Sequence, residues 1–431
     1  MRVRRVVLLF AAAFAAAAGR ADAQEEVYLR VTSPGLQRVV VALPDFVLRP
    51  GADAAASATF AAALRRDLDS TAVLGLLPDE VVRSVAPVPG DAVRTRAQFR
   101  SVGAQFLLEG SLASAGSQLV TEVRLWDLAS GEVAYSRRLQ AATQLAATMA
   151  HTLANELLRQ FTGKPGPFLS RIAFITDRTG NKELWVMRWD GTEAQQLTSH
   201  KSIAMSPAWS GDGEWLAFTS FMRGQPQLFV LKPTQGYLRP LSTMPGVNTS
   251  PSFSPDGGEV AFAAGAAGNT DIYVVAVAGG EPQRLTSSRA IDTQPAWSPS
   301  GRQIVFTSTA AGSPQLYVMD AEGTNLRRLT LDDKFADEAS WAPDGVRLAY
   351  TTWVENRFQI ATLDLRTGKR EVIAGPGSNE SPCWSPDGTM LAFVSNRTGS
   401  KQIFVTDPNG NPRQLTREGS NLQPSWVAQV Q

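Results

Sequence analysis

The chain has 431 residues, enough for two or three domains, with 43% hydrophobic and 19% charged residues and a formal net charge of +1. That near-neutral balance gives no electrostatic reason to expect a nucleic acid or an anionic membrane surface as partner. One cysteine excludes an intramolecular disulfide, and two histidines with it cannot complete a four-ligand zinc site.

The chain opens on Arg2, Arg4 and Arg5, then a thirteen-residue apolar run at 6–18, then Ala21-Asp22-Ala23. This is the pattern of a secretory signal cleaved after Ala23. The run is too short to span a bilayer as a helix, and no later run reaches eighteen residues. Arg4-Arg5 leaves twin-arginine export as the alternative to the general route. Cleavage removes four arginines and one aspartate, which takes the formal charge to −2. The mature chain is expected to be exported, soluble and monomeric.

Residues 24–162 carry no long-period repeat and read as a separate α/β domain. Its first segment, 24–33, holds Glu25, Glu26, Val27, Tyr28, Leu29 and Arg30. Their polar/apolar alternation suits a recognition strand that adds to another protein's sheet edge. A strand is predicted at 38–46, ended by Pro44-Asp45. A helix is predicted at 54–68, with Phe60, Leu64 and Leu68 on one face. Strands at 106–113, 118–127 and 132–140 form a meander with turns at Ala115-Gly116 and Ser130-Gly131. A helix over 143–161 lines up Leu145, Met149, Leu153, Leu157 and Phe161. His151 lies roughly 150° from that stripe at 100° per residue and is expected at the surface or the domain interface. Residues 163–168, with Gly163, Pro165, Gly166 and Pro167, are a short stiff linker.

From residue 169 to 431 one pattern recurs six times at a spacing of 42 to 44 residues. Apolar–aromatic pairs fall at Ala173-Phe174, Ala217-Phe218, Ala261-Phe262, Val305-Phe306, Ala349-Tyr350 and Ala392-Phe393. An aromatic residue recurs at Trp209, Phe253, Trp297, Trp341, Trp384 and Trp426. Four short strands per repeat of this length predict a six-bladed β-propeller. The first copy lacks an inner strand and the last has nothing after it, so the C-terminal strand should complete the first blade. Ser-Pro-Asp-Gly at 254–257 and 385–388 suits type I turns and has a structural role. Cys383, beside Trp384 on an inner strand, reads as a small buried thiol.

Chemistry is sparse: there is no Gly-x-Ser-x-Gly elbow, phosphate loop or EF-hand-like run, which argues against an enzyme. Function is expected instead at one mouth of the propeller, where six loops leading into inner strands converge. The candidate partner-binding residues there are Asn248, Thr249, Ser250, Asp292, Thr293, Gln294, Asp337, Glu338, Asn379 and Glu380. The acidic members would favour a basic or cation-bridged ligand, a Ca²⁺ ion in the channel being one such bridge; no cofactor is otherwise expected.

The junction adds a specific likeness: His151-x-x-Ala154-Asn155, then Leu158, Phe161-Thr162-Gly163, Gly166, Phe168 and Arg171-Ile172-Ala173-Phe174. With the Trp-Ser-Pro-Asp-Gly repeats, it resembles the TolB family of the Tol–Pal cell-envelope system. The resemblance implies a non-enzymatic periplasmic protein that supports outer-membrane integrity and constriction at division. It further implies that segment 24–33 docks a TolA-like inner-membrane protein. The mouth, at Asn248, Thr249, Ser250, Thr293 and Gln294, would bind a Pal-like peptidoglycan-associated lipoprotein, and bacteriocins exploit the same mouth. Val247 departs from the family, standing where a larger polar or basic residue is expected. The rival readings are a secreted propeller hydrolase or lyase, or an unrelated peptide- or sugar-binding propeller.

Overall fold

A computed structural model describes residues 38–265, 269–373, 375–406 and 410–428. The proposed signal and the segment 24–33 lie outside the described residues. In the N-terminal domain, β1 (Val39–Ala42) lies between β3 (Leu74–Leu76) at the sheet edge and β4 (Phe106–Ala115), and is parallel to both. The meander predicted from the sequence continues the sheet through β5 (Gln118–Asp127) and β6 (Val133–Ala142), while the short β2 (Val47–Leu48) pairs with β4. Helix α1 (Ala54–Asp69) starts at Asp53, whose carboxylate accepts from the amide of Ala56 at 2.9 Å, and it buries Phe60, Leu64 and Leu68. Helix α4 (Ala146–Thr162) ends at Gly163, left-handed at φ 74°, as the sequence suggested. Two short helices, α2 (Asp79–Ser84) and α3 (Ala92–Ser101), lie where no element was expected.

Of the two places expected for His151, the surface and the domain interface, the structure gives the interface, near enough to the propeller's Asp190 to act on that carboxylate. The histidine is fully buried, because α4 packs on two sides: one against the sheet, the other against α1. Ala146, Ala150 and Ala154 let the two helices approach closely. His151 Nδ1 then lies 2.6 Å from Asp67 Oδ2 of α1.

The second domain is six four-stranded sheets. The C-terminal strand Asn421–Val427 pairs with Arg171–Thr176 and makes the inner strand of blade 1, so the ring closes on itself as the repeat phase requires. Aromatic side chains pair between the second and third strands within blades 2, 4 and 6, Phe218 with Phe229, Phe306 with Tyr317 and Phe393 with Phe404, at centroid distances of 6.0 to 6.1 Å.

The recurring Leu-Thr pair has a physical reason. In blade 4 the hydroxyl of Thr330 accepts from the amide of Leu316 and donates to the buried Gln315, stapling the outermost strand to the third; Thr416 does the same with Ile403 and Gln402. In the Ser-Pro-Asp-Gly turns the aspartate serves its own loop: Asp256 accepts from the Ser254 hydroxyl at 2.5 Å and from the amide of Gly258 at 3.0 Å.

The domains share one continuous core, in which Phe168, Met187, Trp189, Met390 and Trp426 of the linker and propeller join Leu64, Leu153 and Leu157. Gly166 must be glycine, since a Cβ there would meet the Phe168 ring at 2.8 Å and Leu158 at 2.9 Å. Asn155 accepts from the amide of Phe168, and Trp426 Nε1 donates to the Ser170 hydroxyl at 2.6 Å. The junction residues that carried the family likeness are therefore the ones that lock the domains together.

Candidate functional site: the propeller mouth

Each inner strand runs from the face with the inter-blade connections to the face with the Ser-Pro-Asp-Gly turns. The N-terminal domain sits on the second of these. It meets the turn of blade 6 at Asp387 and Thr389, and Arg66 pairs with Asp190 of blade 1 at 2.5 Å. The mouth carrying the sequence candidates is on the opposite, uncovered face.

Every inner strand is interrupted at the same place. In blade 2, Met205 pairs with Thr219 and Ala208 with Ala217, so Ser206 and Pro207 stand opposite one residue; the same shift recurs in all six blades. This is a β-bulge. Its first residue is Ser206, Ser250, Gln294, Glu338, Ser381 or Gln423, each left-handed at φ 51–56°. Proline follows in five blades and Ala339 in the sixth, because a bulge needs no ladder donor. A left-handed backbone costs a non-glycine residue about 1–2 kcal/mol. Six copies around one axis mark a feature the fold maintains against that cost. They line a channel of about 440 Å³ together with the prolines and inner-strand aromatics.

Two links of this ring are hydrogen-bonded from blade to blade. Gln423 Oε1 accepts from the amide of Ser206 at 2.8 Å. Glu338 accepts from the amide and hydroxyl of Ser381 and from the hydroxyl of Thr351, each at 2.8 Å. Burial and then the neighbouring Asp337 charge push the Glu338 carboxyl above its ordinary range. Burial also raises Asp337, although the Thr307 hydroxyl at 2.8 Å opposes the shift.

The predicted site residues divide into three groups. Asn248, Asp292 and Asn379, each at most 2% exposed, lie inside the blades rather than on a contact surface. Asn248 donates to the carbonyls of Pro226 and Met244, and Asn379 donates to Gln359; burial raises Asp292. Asp337, Glu338 and Glu380 are half-buried and engaged, Glu380 through Lys401 at 2.7 Å. Thr249, Thr293 and Gln294 are half-buried, and their side chains hold no hydrogen bond among the described residues; Ser250 is buried at the channel wall. Among the described residues no three His, Cys, Asp or Glu side chains converge at one point.

Sequence reasoning missed the ring as a backbone feature, although a proline inside an inner strand was its signal. Cys383 is half-buried as a residue beside the channel, and its thiol accepts from the amide of Trp426 at 3.2 Å. Burial pushes that thiol up to about 12, in keeping with the buried thiol expected from the sequence.

The comparisons with known proteins bear on both domains. The family model for the TolB beta propeller domain matches residues 158–430, and that for the TolB amino-terminal domain matches residues 27–134. A Tol-Pal system protein TolB from Desulfosudis oleivorans is 33% identical over 206 residues, 46% of either chain. Another from Syntrophotalea carbinolica is 34% identical over 215 residues, 49% of either chain, so the match spans about half the length of these curated relatives. The crystal structure of TolB from Acinetobacter baumannii shares the fold with a TM-score of 0.79 at 22% identity, over 90% of this chain and 96% of that one. With the propeller model covering more than half of its length and a second model covering most of its N-terminal domain, the chain belongs to the TolB family.

Proposed function

We propose that the protein is a non-enzymatic periplasmic scaffold of the Tol–Pal system. On this reading the propeller mouth binds a Pal-like peptidoglycan-associated lipoprotein, segment 24–33 engages a TolA-like inner-membrane protein, and the two contacts support outer-membrane integrity and constriction at division. The observation that carries the mouth assignment is the six-fold left-handed bulge, which holds Gln294 beside Thr293 and Thr249 on a face no other part of the described chain covers. The curated relatives are named for the same system. Segment 24–33 is assigned from its alternating sequence.

Among the described residues there is no cluster of metal-ligating side chains, and the channel polar groups hold one another rather than a nucleophile and base. A cation-bridged partner would have to bring most of the donor oxygens itself, so a directly hydrogen-bonded protein is the favoured ligand. Titrating the mature chain with the Pal-like domain of the same organism tests the mouth. Thr293→Arg with Gln294→Ala should cost about 2 kcal/mol or more of binding and leave thermal stability nearly unchanged. Equal affinities would move the site elsewhere. Deleting residues 24–33 should abolish TolA-like binding with the propeller still folded, and retained affinity would remove that role. N-terminal sequencing of the exported protein should begin at Gln24.

A further inference from the structure

Isolated exposed apolar side chains are ordinary on a protein surface; their confinement to one arc is not. Of the seven exposed large hydrophobic residues among the described propeller residues, Tyr237 and Leu326 are on the side of the Ser-Pro-Asp-Gly turns. The other five, Ile203, Val247, Ile291, Leu331 and Trp353, are all on the mouth side, and all come from blades 2 to 5 or the connections into them.

The register explains the arc. Ile203, Val247 and Ile291 each stand immediately before the first buried residue of an inner strand. The carbonyls of Ile203 and Ile291 accept from the amides of Phe221 and Thr309. In blades 6 and 1 the same carbonyl position, accepting from Asn396 and Asp177, is held by Ser378 and Ser420. The mouth therefore has an apolar half and a polar half.

Blade 5 extends the apolar half outward. Its second and third strands, Arg347–Val354 and Arg357–Asp364, run eight residues each and turn in two residues, Glu355-Asn356, both left-handed at φ 49° and 62°. The corresponding strands of the other blades have five to seven residues. Trp353 pairs with Phe358 across the hairpin, ring edge to face at 4.8 Å, and Phe335 from the preceding connection packs on Phe358 at 5.2 Å with its ring tilted by 54°. The result is a three-ring ledge with Trp353 36% exposed, and Leu331, in the connection into the same blade, is 70% exposed. The ledge borders a cleft of about 380 Å³ floored by Arg370.

We propose that this crescent, ending in the Trp353 ledge, is a second contact for the partner seated at the mouth, and that the partner is a folded domain presenting an apolar edge across blades 2 to 5. The inference rests on the protein-binding role proposed above for the mouth. A lone extended segment in the channel would touch the bulge ring alone, because the hairpin projects from strands lying one to two strand spacings of about 4.8 Å farther out. Only a surface wider than one chain reaches both. A tryptophan flanked by aromatic support is also the residue type that dominates binding energy at interfaces.

The experiment is calorimetric titration of the Pal-like domain into the full mature chain and into four variants: Trp353→Ser, Trp353→Phe, Ile291→Ser and Gln294→Arg. Trp353→Ser should weaken binding about tenfold or more and Ile291→Ser several-fold, while Trp353→Phe stays close to wild type. Melting temperatures should remain near wild type, so the losses report contact rather than unfolding. Wild-type binding that Gln294→Arg abolishes but Trp353→Ser and Ile291→Ser leave unchanged would overturn the crescent and keep the mouth. No binding by the wild type would overturn the mouth and the crescent with it.

Discussion

The two faces of the propeller use polar groups in opposite ways. On the face that carries the N-terminal domain, charge is sealed in: Asp67 and His151 are fully buried, and Asp190, with no side-chain exposure, pairs with Arg66. Arg413 lies over Trp189 at 4.9 Å and donates to the Asp190 carbonyl. At the mouth, polar side chains sit on a strained backbone, and several keep their hydrogen-bonding capacity unspent. A sealed network fixes two domains in one arrangement, because each buried charge becomes costly once its partner is removed. Glu338 and Gln423 of the ring tie blade to blade, and under the proposed function the groups left without a hydrogen bond among the described residues, Thr249, Thr293 and Gln294, are the ones open to a partner.

This contrast predicts where substitutions register. The largest effect should come from His151→Ala, which leaves Asp67 buried without its partner. A loss of about 3–5 kcal/mol in denaturant unfolding is expected, with affinity at the mouth retained by the folded fraction. A loss below about 1 kcal/mol would mean the pair is solvated and the two faces do not differ in this way.

The same pair gives a pH signature. Burial pushes the Asp67 carboxyl up to about 6, although the His151 hydrogen bond and the charges of His151 and Arg66 pull it down and Asp190 pushes it further up. A carboxyl whose folded value exceeds its unfolded 3.8 binds more protons in the folded state. Its contribution therefore favours folding below about 4 and is lost as pH rises through 6. Subtracting the stability–pH curve of Asp67→Asn, which does not titrate there, should leave a difference that falls between pH 4 and 7. A flat difference would place the titration elsewhere.

A smaller effect should mark the blade staples. Thr330→Val removes the acceptor for the Leu316 amide and the donor to Gln315, at a cost of about 1–3 kcal/mol. Asp256→Ala, in an exposed turn, should cost less than Thr330→Val. Thermal unfolding of the two variants ranks them.

The sequence made some of this architecture legible and hid the rest for identifiable reasons. The repeat period and its phase were enough for six blades and the closing strand, because most blades reuse an aromatic pair and four of them the same threonine staple. Helices α1 and α4 were readable from apolar stripes. Helices α2 and α3 were not, since they bury only Val82 and Phe99 respectively and show no periodicity. Asn248, Asp292 and Asn379 looked like mouth residues because a polar side chain at a loop end normally faces water. Here the loop folds over it, and the amides of Asn248 and Asn379 stitch the connection to the third strand. For His151 the surface alternative fails and the domain interface holds; an angle from one apolar stripe says nothing of the second packing face, made of alanines, that buries it.

The central claim of the proposed function is that the unbonded Gln294 side chain in the ring serves a partner and not the fold. Gln294→Gly tests it most directly, because glycine takes φ 51° without strain while removing the amide. Unfolding and affinity for the Pal-like domain should be measured on the same preparation. The account predicts stability within about 1 kcal/mol of wild type, relief of strain offsetting the added freedom of the unfolded chain, and binding about tenfold weaker. A clear loss of stability with unchanged affinity would contradict it.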